Sequence, residues 1–434
     1  MKRVVFTLVG LIVCSLGQAQ ASAQDLKGCK RCDQQGVVPC KQHDAELREH
    51  EGHVLFCSVI AACPDCGGSL WVDCDRCDGG PKSAEVEARR AEIAAWAAAD
   101  PMAEYLKRSV PRVETTHFEL IIDTGTLKEG KKKVDGHILM HRVAEDVEEV
   151  ARLVDQHYGL GEAKAREASR GGLAGMAPDS GESGGAEPGG SDAGGPVANP
   201  SAGATPVSDL QPGYFGKMRM WIWNNPDDHR TVMRDFLHSG ASGDFKMLGK
   251  DPIFSVWTEG QFKTVPAVRM LFAHNASHML VSNLYKELWV GDLTGGWFDA
   301  GLGHWYEYEL FGLSLNACIE EANVLKQYHG GQWRAALRKD LGPDASYVLP
   351  KLLPMNTGAM TLEEQALCFS FYDWLVHEHV DLVPAILRGL KRERPARELL
   401  MELLGKSLFA MEDDWRAWVQ ASYPVKDPKP KAWR

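Results

Sequence analysis

In the stretch LFAHNASHML, residues 271 to 280, two histidines stand four apart. On a helix that spacing puts both imidazoles on one face, which is how a zinc ion is gripped by a His-x3-His pair. Pro266 fits the first turn of such a helix, which is expected to run through VRMLFAHNASHMLVSNLYKEL. Metal-assisted hydrolysis also needs a base beside the ion. The residue after the first histidine, Asn275, has no carboxylate to take a proton. Ordinary packing with hydrogen bonds is the competing reading of the pair.

A second concentration of chemistry lies at residues 29–77, where CKRCDQQGVVPCKQH and CPDCGGSLWVDCDRC repeat one pattern. Each copy reads Cys-x2-Cys, seven residues, then Cys-x2-Cys or His. The candidate ligands are Cys29, Cys32, Cys40, His43, Cys63, Cys66, Cys74 and Cys77, enough for two four-coordinate zinc ions, with Cys57 left over. A tight turn between two cysteines aims both sulfurs at one point, and two such knuckles complete a tetrahedron. A disulfide framework is the alternative for clustered cysteines in an exported chain, but His43 falls on a ligand position. All four positions per site are taken by protein, which points to structure rather than activity.

The block resembles the cysteine-rich zinc finger of DnaJ-type chaperones over residues 29 to about 81, although the second knuckle is CKQH and no J-domain precedes it. The resemblance implies that the outer knuckles (Cys29, Cys32, Cys74, Cys77) share one ion and the inner ones (Cys40, His43, Cys63, Cys66) the other. In sequence alone the neighbour pairing is equally allowed.

The elements that must position these groups follow from patterning. The opening MKRVVFTLVGLIVCSLGQAQASAQ reads as an export signal, residues 1–23, with Ala-x-Ala cleavage sites. After the cysteine module, 24–81, an Ala- and Glu-rich helical spacer is expected over 82–108, with Ser83 as N-cap. THFELIIDT (116–124) alternates like a strand, and HRVAEDVEEVARLVDQHYG (141–159) has helical spacing. Residues 163–212 are rich in Gly, Ala, Ser and Pro and read as a flexible linker between 109–162 and 213–423, with 424–434 as a tail. KMRMWIWN and PIFSVWT read as strands, and the chain after Thr264 as mainly helical. The expected class is α+β: a small zinc-bound N-terminal module, then a mixed sheet with a metal-site helix and a helical C-terminal part.

Strands, then the histidine helix, then GGWFDAGLGHWYEYELFG, follow the order of the gluzincin metallopeptidases, and the region from about 112 to 420 is similar to the peptidase-MA-like group. That family's His-Glu-x-x-His corresponds to His274, Asn275, Ala276, Ser277 and His278, so both zinc-binding histidines match while Asn275 replaces the general base. The third ligand, a glutamate in the family, corresponds to Ala300. His304 lies one turn beyond Ala300, an advance of about 6 Å against a metal bond of about 2 Å, so it substitutes only if the site is reshaped.

The favoured reading is an exported zinc-binding protein whose metallopeptidase-like domain is inactive and binds protein or peptide. An active zinc metallohydrolase using His274, His278 and His304 is the alternative, and a DnaJ-like chaperone or thiol-redox module is a third. A net charge of -11 argues against nucleic acid as a partner. No segment after the signal offers the ~18 apolar residues of a transmembrane helix.

Overall fold

The computed structural model describes residues 29–43, 53–77, 79–160, 213–241, 243–258, 262–318 and 328–428. The expected export signal and linker lie outside the described residues. In chain order the strands are β1 (Val37–Pro39), β2 (Phe56–Cys57), β3 (Trp71–Asp73), β4 (Arg112–Glu114), β5 (Phe118–Asp123), β6 (Leu127–Glu129), β7 (Lys132–Val134), β8 (Met218–Trp223), β9 (Phe245–Met247) and β10 (Ile253–Trp257). The principal helices are α1 (Ser83–Ala98), α2 (Gly136–His157), α3 (Val265–Asn283), α4 (Gly296–Phe311), α5 (Leu362–Glu378), α6 (Val383–Lys391) and α7 (Leu408–Ser422). The class is α+β as expected, with a mixed sheet first and a helical C-terminal part.

The main sheet runs β2-β4-β5-β8-β10-β9. Its centre is parallel, β5 with β8 and β8 with β10, while β2, β4 and β9 join antiparallel at the two sides. The edge strand β2 comes from the cysteine block: Phe56 pairs with Glu114 and Cys57 with Val113. Alternation sorts β5 onto two faces. Phe118, Leu120 and Ile122 join the large core beneath α2 and α3, whereas Ile121 packs with Trp221, Trp223 and Val232 on the other side.

Helix α2 is amphipathic, burying Leu139, Val143, Val147, Val150 and Val154 at three- and four-residue spacing. It begins at Gly136 rather than at 141, because Asp135 accepts from the His137 N–H and caps it. Likewise Ser83 is the first residue of α1, not its cap; its hydroxyl accepts from the Gly80 N–H.

Helix α3 is buried on every side, so it shows no apolar stripe. Thr264 caps it, accepting from Ala267 N–H with Pro266 in the first turn, and it stops at Asn283, short of the expected Leu288. Two polar anchors hold it in the core. The Arg269 guanidinium makes a two-pronged pair with Asp146 of α2, at 2.7 and 2.8 Å. At the other end Lys391 of α6, fully buried, donates to the carbonyls of Ser282 and Lys286 at 2.7 and 2.6 Å. These bonds satisfy carbonyls at the C-terminal end of the helix, while burial and then the nearby Lys286 push the Lys391 amine well below its usual range.

One buried histidine ties the fold to pH. His157, at the end of α2, is 8% exposed and lies 2.9 Å from the Tyr306 hydroxyl. Burial, with the charges of His377 and Arg152 adding, pushes it down from 6.5 to about 4. An unfolded chain therefore takes up this proton near 6.5 while the fold refuses it until about 4. Its share of stability is complete above pH 6.5 and is lost as the pH falls through that window, roughly 3 kcal/mol in all at about 1.4 kcal/mol per unit. Urea unfolding measured across this range should show a shallower acid-side loss for His157→Gln than for the unaltered chain. Parallel curves would remove His157 from the account.

Candidate metal centres

The two cysteine repeats meet through β1 and β3, which pair antiparallel with Val37 opposite Asp73. That register brings the first knuckle beside the fourth and the second beside the third. Cys29 lies 3.7 Å from Cys74 and Cys32 lies 3.4 Å from Cys77, sulfur to sulfur. In the inner set, Cys40 is 4.0 Å from Cys63 and His43 Nε2 is 3.3 Å from Cys66 Sγ. Bonds of about 2.3 Å to zinc place tetrahedral thiolates about 3.8 Å apart, so each set has the spacing of ligands to one ion. All described cysteines are unbridged. The arrangement is the interleaved one, and the neighbour pairing that sequence left open does not form.

The electrostatics of the outer set fit a cation. Backbone N–H groups of Cys32 and Arg31 pull the Cys29 thiol down to about 6. Its companion Cys77 is pushed up to about 12, first by Cys32 and then by burial and the other thiols. Four sulfurs this close cannot all ionise unless a positive charge sits among them.

In the main domain, α3 presents His274 and His278 toward α4. Gly303 permits the approach: a Cβ there would lie 2.5 Å from His278 Nε2. Each imidazole is oriented from behind. His278 Nδ1 is 2.9 Å from Asp299 Oδ1, and the other oxygen of Asp299 accepts from Thr357 Oγ1 at 2.9 Å. His274 Nδ1 is 3.1 Å from Glu307 Oε2. Burial favours the neutral imidazoles. Because their Nδ1 hydrogens are committed to carboxylates, both Nε2 atoms carry lone pairs, and they face each other at 3.2 Å.

Cys318 completes the group. Its sulfur is 3.3 Å from each Nε2. Zinc bonds of about 2.0–2.3 Å imply ligand separations of about 3.3–3.6 Å, so the near-equilateral triangle matches three corners of one coordination tetrahedron. The three donor atoms share one exchangeable hydrogen, on the thiol, which burial raises well above its usual range. A divalent cation satisfies all three, and the carboxylates on Nδ1 are the outer-shell partners that metal-bound histidines require.

Sequence reasoning found the two histidines and missed Cys318. It stands 40 residues beyond His278, in a stretch without regular structure, and only its being a cysteine left over from the block marks it. His304 stands beside the triangle, its Nε2 3.7 Å from Cys318 Sγ. It faces Gln365 Oε1 at 2.9 Å and, through Nδ1, Ser314 Oγ at 2.8 Å. It also forms a second donor group with His274 and Glu307.

Two carboxylates, Asp299 and Glu307, flank the imidazoles. Asp299 is held below the usual carboxylate range although burial alone would raise it, because His278 and Thr357 outweigh that cost. Burial pushes Glu307 up, yet five donors surround its two oxygens: His274 Nδ1, the Ser314 hydroxyl, the Leu315 and Asn316 N–H groups and the Asn316 amide. Asn275 turns away, donating to the Leu271 carbonyl of its own helix at 2.9 Å. Ala300 is fully buried in α4 and carries no donor atom.

Fold and donors together define a mixed α+β protein whose cysteine and histidine groups could hold zinc. No protein-family model matches the chain, and no curated protein matches it. No helix of the described residues is long and apolar enough to cross a membrane.

Proposed function

We propose that this is an exported, zinc-organised binding protein: a cysteine-rich module joined to a gluzincin-like domain that keeps the metal helix but does not hydrolyse peptides. The observation that carries the reading is the side of the imidazoles on which the carboxylates lie. Asp299 and Glu307 both sit behind the rings, on Nδ1, and the residue in the position of the base spends its amide on Leu271. A metal held by His274, His278 and Cys318 would fix α3, which packs on α4, to the segment that carries Cys318. The interleaved knuckles support the DnaJ-like reading of the N-terminal module. A cleft of about 680 Å³ lined by Tyr308, Arg334, His377, Trp418 and Tyr423 offers aromatic and cationic groups to a protein or peptide partner.

A metallohydrolase remains the second reading. Three protein ligands with carboxylate-backed histidines is also how catalytic zinc is held. Incubating the zinc-loaded protein with a degenerate peptide library and reading cleavage by mass spectrometry separates the two. The expected result is no cleavage above buffer. Cleavage that disappears in His274→Ala would replace the binding reading with the hydrolytic one.

A further inference from the structure

Cys57, the cysteine that belongs to neither zinc set of the module, is buried where β2 ends against the main domain. It faces the start of α2, where His137 and His141 stand four residues apart on one face. Their rings are 4.8 Å apart at 71°, with Nε2 atoms 3.1 Å from one another. Cys57 Sγ lies 3.5 Å from His137 Nε2, and the three donor atoms fall within one 4.8 Å group. The 3.1 and 3.5 Å separations suit bonds of about 2.0 Å from nitrogen and about 2.3 Å from sulfur to a single zinc ion.

The donor set repeats that of the main-domain centre, two histidines at i and i+4 on one helix and one cysteine distant in sequence. One feature differs. Among the described residues, Cys57 and His141 line a cavity of about 240 Å³, enclosed by β2, the turn before β3, and α1. That volume exceeds several times the roughly 30 Å³ occupied by a water molecule. Its wall carries cations: the Lys82 ammonium lies 3.5 Å over the Trp71 ring and the Arg89 guanidinium 4.5 Å over the Phe56 ring. A metal at these three ligands thus borders a space that a small molecule can enter, where Lys82 and Arg89 outnumber the one wall carboxylate, Glu85, and favour an anion.

We propose that Cys57, His137 and His141 bind a zinc-class ion that staples the cysteine-rich module to the main domain and takes its remaining ligand, water or a small anion, from this cavity. The site draws one ligand from the module and two from α2, so neither part holds it alone. It is independent of the His274 centre and of the hydrolysis question.

Metal content of the full-length zinc-loaded chain tests this directly. Cys57→Ser and His141→Gln should each remove about one zinc per chain, and the double variant should remove no more than either single one, since all three residues share one ion. His137→Gln, at the half-exposed start of α2, gives a variant whose folding depends less on the altered side chain, and it should lose the same ion. Cys318→Ala should leave this ion in place. In the cobalt-loaded Cys318→Ala protein, where the His274 centre is disabled, azide should shift the visible spectrum, and the shift should vanish when His137→Gln is added. Unchanged zinc content in His137→Gln and Cys57→Ser would overturn the site. Metal loss without any azide response in the Cys318→Ala protein would overturn the cavity-fed ligand.

Discussion

Replacing Cys318 with alanine should lower the zinc content of the full-length chain by about one ion and reduce its stability sharply. The sulfur stands 3.3 Å from both imidazole nitrogens; without it, two neutral histidines at 3.2 Å form an incomplete grip. A bound ion stabilises the fold in proportion to the logarithm of its saturation. With free zinc about a thousand-fold above Kd, the loss is about 4 kcal/mol. A strong chelator should erase the difference between the unaltered chain and the variant, because the ion at Cys318 accounts for it. Thermal unfolding with and without zinc reads both. Equal zinc content and equal midpoints would show that Cys318 is only a buried thiol.

The second large effect belongs to the pair that seats the histidine helix. Arg269 and Asp146 are 8% and 6% exposed, and each loses its counter-charge if the other is removed. Burial raises the Asp146 carboxyl even against the pull of Arg269, whereas Asp146 holds the Arg269 guanidinium above its usual range against burial. Asp146→Ala should therefore cost about 3–5 kcal/mol, since it strands a buried guanidinium. The joint change Asp146→Leu with Arg269→Met should cost far less. Urea unfolding of the unaltered chain, Asp146→Leu, Arg269→Met and the joint variant gives the coupling. A single-variant loss below about 1 kcal/mol would mean that water reaches the pair.

Residues close in sequence were legible; those joined only by the fold were not. His274 and His278 declare themselves because helix geometry alone puts i and i+4 together. The eight knuckle ligands were readable from spacing, but their pairing awaited the β1–β3 register, which no local rule supplies. Cys318 has no periodic context. The His137 and His141 pair went unseen because the helix was expected to begin at His141, which cuts the pair in two, although Asp135 is a good capping residue. The buried α3 has no apolar stripe to mark its place in the core, and its anchors at Asp146 and Lys391 come from distant helices. The joining of β2 to the main sheet likewise depends on a strand of two residues, too short to announce itself by alternation.

Anomalous diffraction at the zinc edge from crystals of the full-length, zinc-loaded protein tests the central claim most directly. The account predicts a peak bonded to His274 Nε2, His278 Nε2 and Cys318 Sγ, with Asp299 and Glu307 remaining on the far side of the rings and Asn275 turned to Leu271. A peak bonded instead to His304 or directly to Glu307, or no peak at the histidine helix at all, would contradict it.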